Sequence, residues 1–82
     1  MEEFIKELSK ASKIMYMFQD NTGNNIEAII EDCDSEMDES YIYISGLHGV
    51  CVSILKKPTS VKYEEGCYVL TYTNSEISVL FR

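Results

Sequence analysis

The sequence predicts an α+β domain: one N-terminal helix packed on a mainly antiparallel sheet of five to seven short strands, open or bent into a small barrel. Three observations carry this. A helical period in the first twelve residues gives way to alternation. Turn residues then recur every few positions. Nowhere does the chain show the strand–helix–strand spacing that a parallel sheet needs.

The helix is expected over residues 2–12. Phe4, Leu8, Ala11 and Met15 fall on one helical face. Glu2, Glu3 and Glu7 sit near its start and Lys10 and Lys13 near its end, as the helix dipole prefers. Glu3 and Glu7 are placed to pair with Lys6 or Lys10. From Lys13 the period changes: Ile14, Tyr16 and Phe18 alternate with Met15 and Met17, both sets apolar. Asp20-Asn21-Thr22-Gly23-Asn24 reads as a turn, and Ile26, Ala28 and Ile30 alternate beyond it. A hairpin of 13–19 and 25–32 follows. A competing pattern extends the helix through Phe18, because Phe4, Leu8, Ala11, Met15 and Phe18 also keep helical spacing.

Residues 32–40 read as a polar connection without apolar periodicity. Short strands are expected at 41–45, 50–55, 60–63, 67–73 and 76–81. Gly46 to Gly49, Lys57-Pro58-Thr59, Glu64-Glu65-Gly66 and Thr73-Asn74-Ser75 separate them. The terminal strand 76–81 carries few charges and is expected to be a sheet edge. The order helix, strand, Gly-containing turn, strand, acid, strand loosely resembles that of Sm-like barrels. The Gly-rich second motif and the basic RNA-binding residues of that family are missing here.

The chain has 82 residues, enough for one domain spanning 1–82. A domain of this size hides only about 60–65% of the surface of its unfolded chain, so a dimer interface or a bound partner would add to its stability. Fourteen acids against seven bases give a net charge of −7. Such a surface repels phosphate backbones and anionic membranes and attracts basic proteins. No apolar stretch approaches the ~20 residues of a membrane helix. Met1-Glu2-Glu3 lacks the basic start of a signal peptide, so a cytoplasmic location is expected. Cys33, Cys51 and Cys67 are odd in number and form no C-x-x-C pair. They are expected to be reduced thiols, at least two of them in the core.

The acids are unevenly spread. Between Ile14 and Leu55 stand eight acids and no Lys or Arg, and six of them lie in residues 31–39. Three uses suit such a run. It can be a solvated loop, a protein-binding surface that offers carboxylates in place of phosphates, or a calcium loop. Asp32, Asp34, Glu36 and Asp38 recur at every second residue, like the start of an EF-hand loop. That loop requires Gly at its sixth position and Glu at its twelfth, where this chain has Met37 and Tyr43.

Other constellations carry less. His48 is the only histidine, and Cys51 lies at a spacing that turns the two side chains apart on a strand. Three Cys and one His show no zinc-ligand spacing. Lys56, Lys57 and Lys62 are too few to bind nucleic acid on a chain of this charge. Phosphate-loop, dinucleotide, nucleophile-elbow and zinc-protease motifs are absent from the sequence. Tyr41 and Tyr43 share a strand face and would be exposed if Ile42 and Ile44 face the core.

The expectation is therefore a non-enzymatic acidic binding protein without cofactor that masks a basic protein partner. Glu27, Glu31, Asp32, Asp34, Glu36, Asp38, Glu39, Tyr41 and Tyr43 are its candidate contact residues. Size and charge are those of phage-type antagonists of host nucleic-acid enzymes, such as anti-CRISPR and DNA-mimic proteins, and of immunity proteins to nuclease toxins. A small homo-oligomeric assembly module, joined through the 76–81 edge, is the alternative from a different class.

Overall fold

The computed structural model describes residues 1–81 and shows one helix packed against two antiparallel sheets. In chain order the elements are α1 (Glu2–Lys10), β1 (Lys13–Asp20), β2 (Asn25–Glu31), β3 (Asp34–Met37), β4 (Tyr41–Ser45), β5 (Cys51–Leu55), β6 (Ser60–Glu64), β7 (Cys67–Thr71) and β8 (Ser75–Phe81). A five-stranded sheet runs β2-β1-β8-β7-β6 and a three-stranded sheet runs β3-β4-β5. The expected five to seven strands are thus eight, in two ladders, and the ladders do not join into one closed barrel.

The α1 face bearing Phe4 and Leu8 is buried. Phe4 meets the Tyr68 ring edge-on at 5.4 Å and lies 5.9 Å from Phe81. The helix stops two residues earlier than its sequence pattern suggests. Ala11 is extended, and the carbonyl of Ser12 accepts from the Cys33 amide at 3.0 Å, which draws the chain into β1. The extended-helix alternative fails because β1 pairs on both sides, with β2 and with β8. Two full ladders outweigh a helical apolar spacing. The Glu–Lys pairs expected along α1 are not closed. Among the described residues the ion pair within 4 Å is Lys13–Glu31, a cross-strand pair at 3.8 Å.

Two further expectations are corrected. Residues 34–37 form a strand and not a loop, because β4 supplies a ladder in which Ser35 faces Ile44 and Met37 faces Ile42. The strand escapes periodicity analysis because both of its faces are polar or open to solvent. Strand β8 is not an edge: β1 and β7 flank it, and the edges of that sheet are β2 and β6. A low charge content marks a strand covered by neighbours as readily as an uncovered one.

The two sheets enclose one core. Ile14, Tyr16, Ile30, Leu70, Ile77 and Val79 from the larger sheet meet Ile42, Ile44 and Ile54 from the smaller. The chain crosses between them at Asp32–Cys33, where Asp32 has φ 48°, and again through Lys56 to Thr59. Tyr72 hydroxyl donates to the Leu55 carbonyl at 2.6 Å and ties the sheets together there. Its environment is apolar enough to push the phenol up to about 12. At the Glu64–Cys67 hairpin, Glu65 and Gly66 both have positive φ, as a two-residue type I′ turn requires. All three cysteines are free thiols. None is fully buried, so the expected pair of core cysteines is not present: Cys33 and Cys67 are half-buried and Cys51 is exposed.

Candidate functional site

Strand β4 sorts its residues cleanly. Ile42 and Ile44 point into the core, which turns Tyr41 and Tyr43 outward, at 40% and 39% exposure. Register extends that outward face across the smaller sheet. Glu36 stands opposite Tyr43 and Tyr43 opposite Ser53; Asp34 stands opposite Ser45 and Ser45 opposite Cys51; Tyr41 stands opposite Leu55. Cross-strand partners of this kind have Cβ atoms about 5 Å apart. The Tyr41 and Tyr43 rings lie side by side, centroids 6.0 Å apart and tilted by 31°. The face is therefore a tyrosine pair edged on β3 by two carboxylates, with Leu55 beside Tyr41.

Asp38 shapes this face from one end. Its carboxylate accepts from the Ser40 and Tyr41 amides, both at 2.8 Å, and from the Tyr43 hydroxyl at 2.9 Å. These bonds, the Tyr41 amide first, hold its carboxyl below the usual range. The same contact pushes the Tyr43 phenol up. Asp38 is thus the anchor of the β3–β4 turn and holds one tyrosine in place. The Lys56 ammonium donates to the Asp38 carbonyl at 2.9 Å, and a shallow cavity joins Glu39, Ser40, Leu55 and Lys57. The fold therefore brings two lysines to the end of a run that lacks any base in sequence.

The nine sequence candidates divide. Asp34, Glu36, Tyr41 and Tyr43 share the outward face of the smaller sheet, with Asp38 and Glu39 at its end. Asp32 is the exposed corner between β2 and β3. Glu27 and Glu31 lie on the outward face of the larger sheet, opposite Met17 and Lys13. Among the described residues no three His, Cys, Asp or Glu side chains converge as a metal site. The Asp-x-Asp-x-Glu-x-Asp run instead spaces its carboxylates along a corner, a strand and a turn.

Sequence reasoning missed two parts of the face. Leu55 and Ser53 join it only through the β4–β5 register. An apolar groove of about 210 Å³ opens beside Tyr41, lined by Tyr16, Phe18, Leu55, Tyr72 and Ile77 among others. It lies where the two sheets part, so no local pattern signals it. The alternation of Tyr and Ile in 41–44 was the one available signal for the tyrosine face itself.

The fold and this face define an acidic α+β protein with a solvent-facing tyrosine and carboxylate surface. Comparison with protein-family models, with curated proteins and with solved structures finds no match for the chain.

Proposed function

We propose that this protein is a non-enzymatic binding protein that masks a basic partner, such as a nucleic-acid enzyme, with the outward face of its three-stranded sheet. The observation that carries this is the Tyr41–Tyr43 pair, held outward by buried isoleucines and edged in register by Glu36 and Asp34. An arginine is the group this surface suits. Its guanidinium stacks on a tyrosine ring while a neighbouring carboxylate takes its N–H groups. Asp34 and Glu36 repeat at about 6.6 Å along the strand, so a row of basic side chains that normally meets phosphates finds a row of carboxylates. The groove beside Tyr41 offers an apolar seat to an aliphatic stem or a small anchor residue. The net charge of −7 steers such a partner from a distance. This is the mode of a phage-type antagonist or DNA mimic.

The test uses the intact protein immobilised and challenged with basic nucleic-acid enzymes at low and high salt. A supporting result is capture that weakens with salt, competes with duplex DNA, and falls at least ~10-fold when Asp34→Asn is combined with Glu36→Gln. Tyr43→Ala should lower it further, since aromatic residues dominate such contacts. Binding that is indifferent to these changes would falsify the proposal.

A further inference from the structure

The outward face of the five-stranded sheet is apolar at its centre. On β1, Met15 and Met17 point away from the core that Ile14 and Tyr16 enter. Register places Ile29, Met15, Leu80 and Cys67 in one row across β2, β1, β8 and β7, which ends in Glu64 on β6. Met17 and Val69 lie in the next row, either side of Ser78. Helix α1 does not cover this face, because Phe4 packs on Tyr68 and Phe81, on the core side. Ile29 stays 55% exposed. An antiparallel sheet with one solvated face ordinarily alternates to polar residues there. A continuous apolar row on such a face marks a contact surface.

The charges at its two edges say what covers it. The row that holds Met17, Ser78 and Val69 ends in Glu27 on β2 and in Lys62 on β6. Both are exposed, and neither is in an ion pair within 4 Å among the described residues. The face is thus negative at one end of the row and positive at the other. A two-fold axis laid along the central strand β8 turns that asymmetry into self-complementarity.

We propose that this face docks on the same face of a second copy, sheet on sheet, about a two-fold axis along β8. The rotation brings β2 of one copy over β6 of the other. Glu27 then faces Lys62 of the second copy, twice per dimer. Met17 covers Val69, Met15 covers Cys67, and Leu80 meets its own symmetry mate. Sheets packed in this way lie about 10 Å apart with strands within about 30° of parallel, a spacing the central Met and Leu side chains fill. Two contacts oppose it. Glu64 lies opposite Cys67 at the β6 end of the first row and so faces Ile29 of the second copy. Glu76 lies opposite Gln19 on β1 and Thr71 on β7, so the axis brings the two copies of Glu76 together at one end.

Sedimentation equilibrium and light scattering on the intact chain test this. The expected species has twice the 9.4 kDa of one chain. Glu27→Lys alone and Lys62→Glu alone each weaken association at least ~10-fold by facing like charges across the interface. An equimolar mixture of the two variants restores it, because both pairs are then opposite in sign. Glu76→Gln tightens association. Circular dichroism verifies that these surface variants stay folded. A monomer at every accessible concentration overturns the proposal. So does a dimer that ignores both charge reversals, or one that Tyr43→Ala dissociates, since Tyr43 lies on the other sheet. The partner-masking face and this one are separate, so either proposal can fail alone.

Discussion

Asp20 organises its turn with a single carboxylate. It accepts from the Thr22 amide at 2.9 Å, the Thr22 hydroxyl at 2.8 Å, and the Asn24 amide and side chain at 3.0 Å. Each bond is stronger to the ionised form, so the carboxyl falls from an ordinary 3.8 to about 2, with the Thr22 hydroxyl contributing most. A depressed folded-state value means the stabilisation is complete above the unfolded value and is lost as pH falls through the folded one. Acid titration of the unfolding midpoint should therefore show stability declining from about 3.8 down through about 2. Asp20→Asn should lower stability at neutral pH and flatten that decline. Cysteines differ at the same scale. Burial pushes the thiols of Cys33 and Cys67 up, whereas Cys51 stands exposed on β5. Thiolate is the reactive form, so alkylation at neutral pH followed by peptide mass spectrometry should find Cys51 labelled first. A protein in which Cys67 reacts fastest would contradict the burial described here. The sequence showed which residues titrate. It could not show these shifts, because each depends on a neighbour's distance.

At the scale of elements, Gly46 joins the two sheets. Its φ of −154° is ordinary extended backbone, so freedom of rotation is not what the position needs. Space is. A Cβ here would sit 2.5 Å from the Glu31 carbonyl oxygen and 2.5 Å from the Ile30 side chain. The first is backbone of a paired strand and the second a fully buried side chain, so neither has much room to move. Gly46→Ala is expected to cost about 1–3 kcal/mol by overpacking, whereas Ser45→Ala next to it, on the exposed face, should stay within about 0.5 kcal/mol. Urea unfolding of the two variants separates them, and equal midpoints would refute the close approach. The sequence marked Gly46 as part of a turn. Only the close approach of Gly46, just past β4, to the end of β2 shows why glycine is required. Strand β8 carries the same lesson. Its few charges are plain in the sequence, but whether they meant an edge or a centre depended on β1 and β7 closing on either side.

For the molecule as a whole, α1 fastens one side of the core. Phe4 is fully buried against Tyr68 and Phe81, and Leu8 is nearly so. Truncating a core aromatic typically costs about 3–5 kcal/mol, and a domain of this size has about 5–15 kcal/mol in total. Phe4→Ala should therefore lower the thermal midpoint more than Tyr43→Ala, whose ring packs on the exterior. Calorimetry of both variants checks the order. A reversal would mean that the helix is not fastened as described.

Local chemistry determined a good deal here. Alternation of Ile with Tyr sets which face of β4 is wet, since side chains on a strand point alternately to opposite sides. Gly and Asn placed the turns, because their backbones reach conformations other residues avoid. Fourteen acids set the sign of the surface. Tertiary structure decided the rest. It made a strand of 34–37 by offering a ladder, moved Glu27 and Glu31 to a different sheet from Asp34 and Glu36, and set Lys56 and Lys57 beside the acids. The acidic run that reads as one segment is divided between two surfaces. The reason is physical: a sequence orders residues along the chain, but pairing and burial choose which of them share a face, and those choices are made by partners far away in sequence.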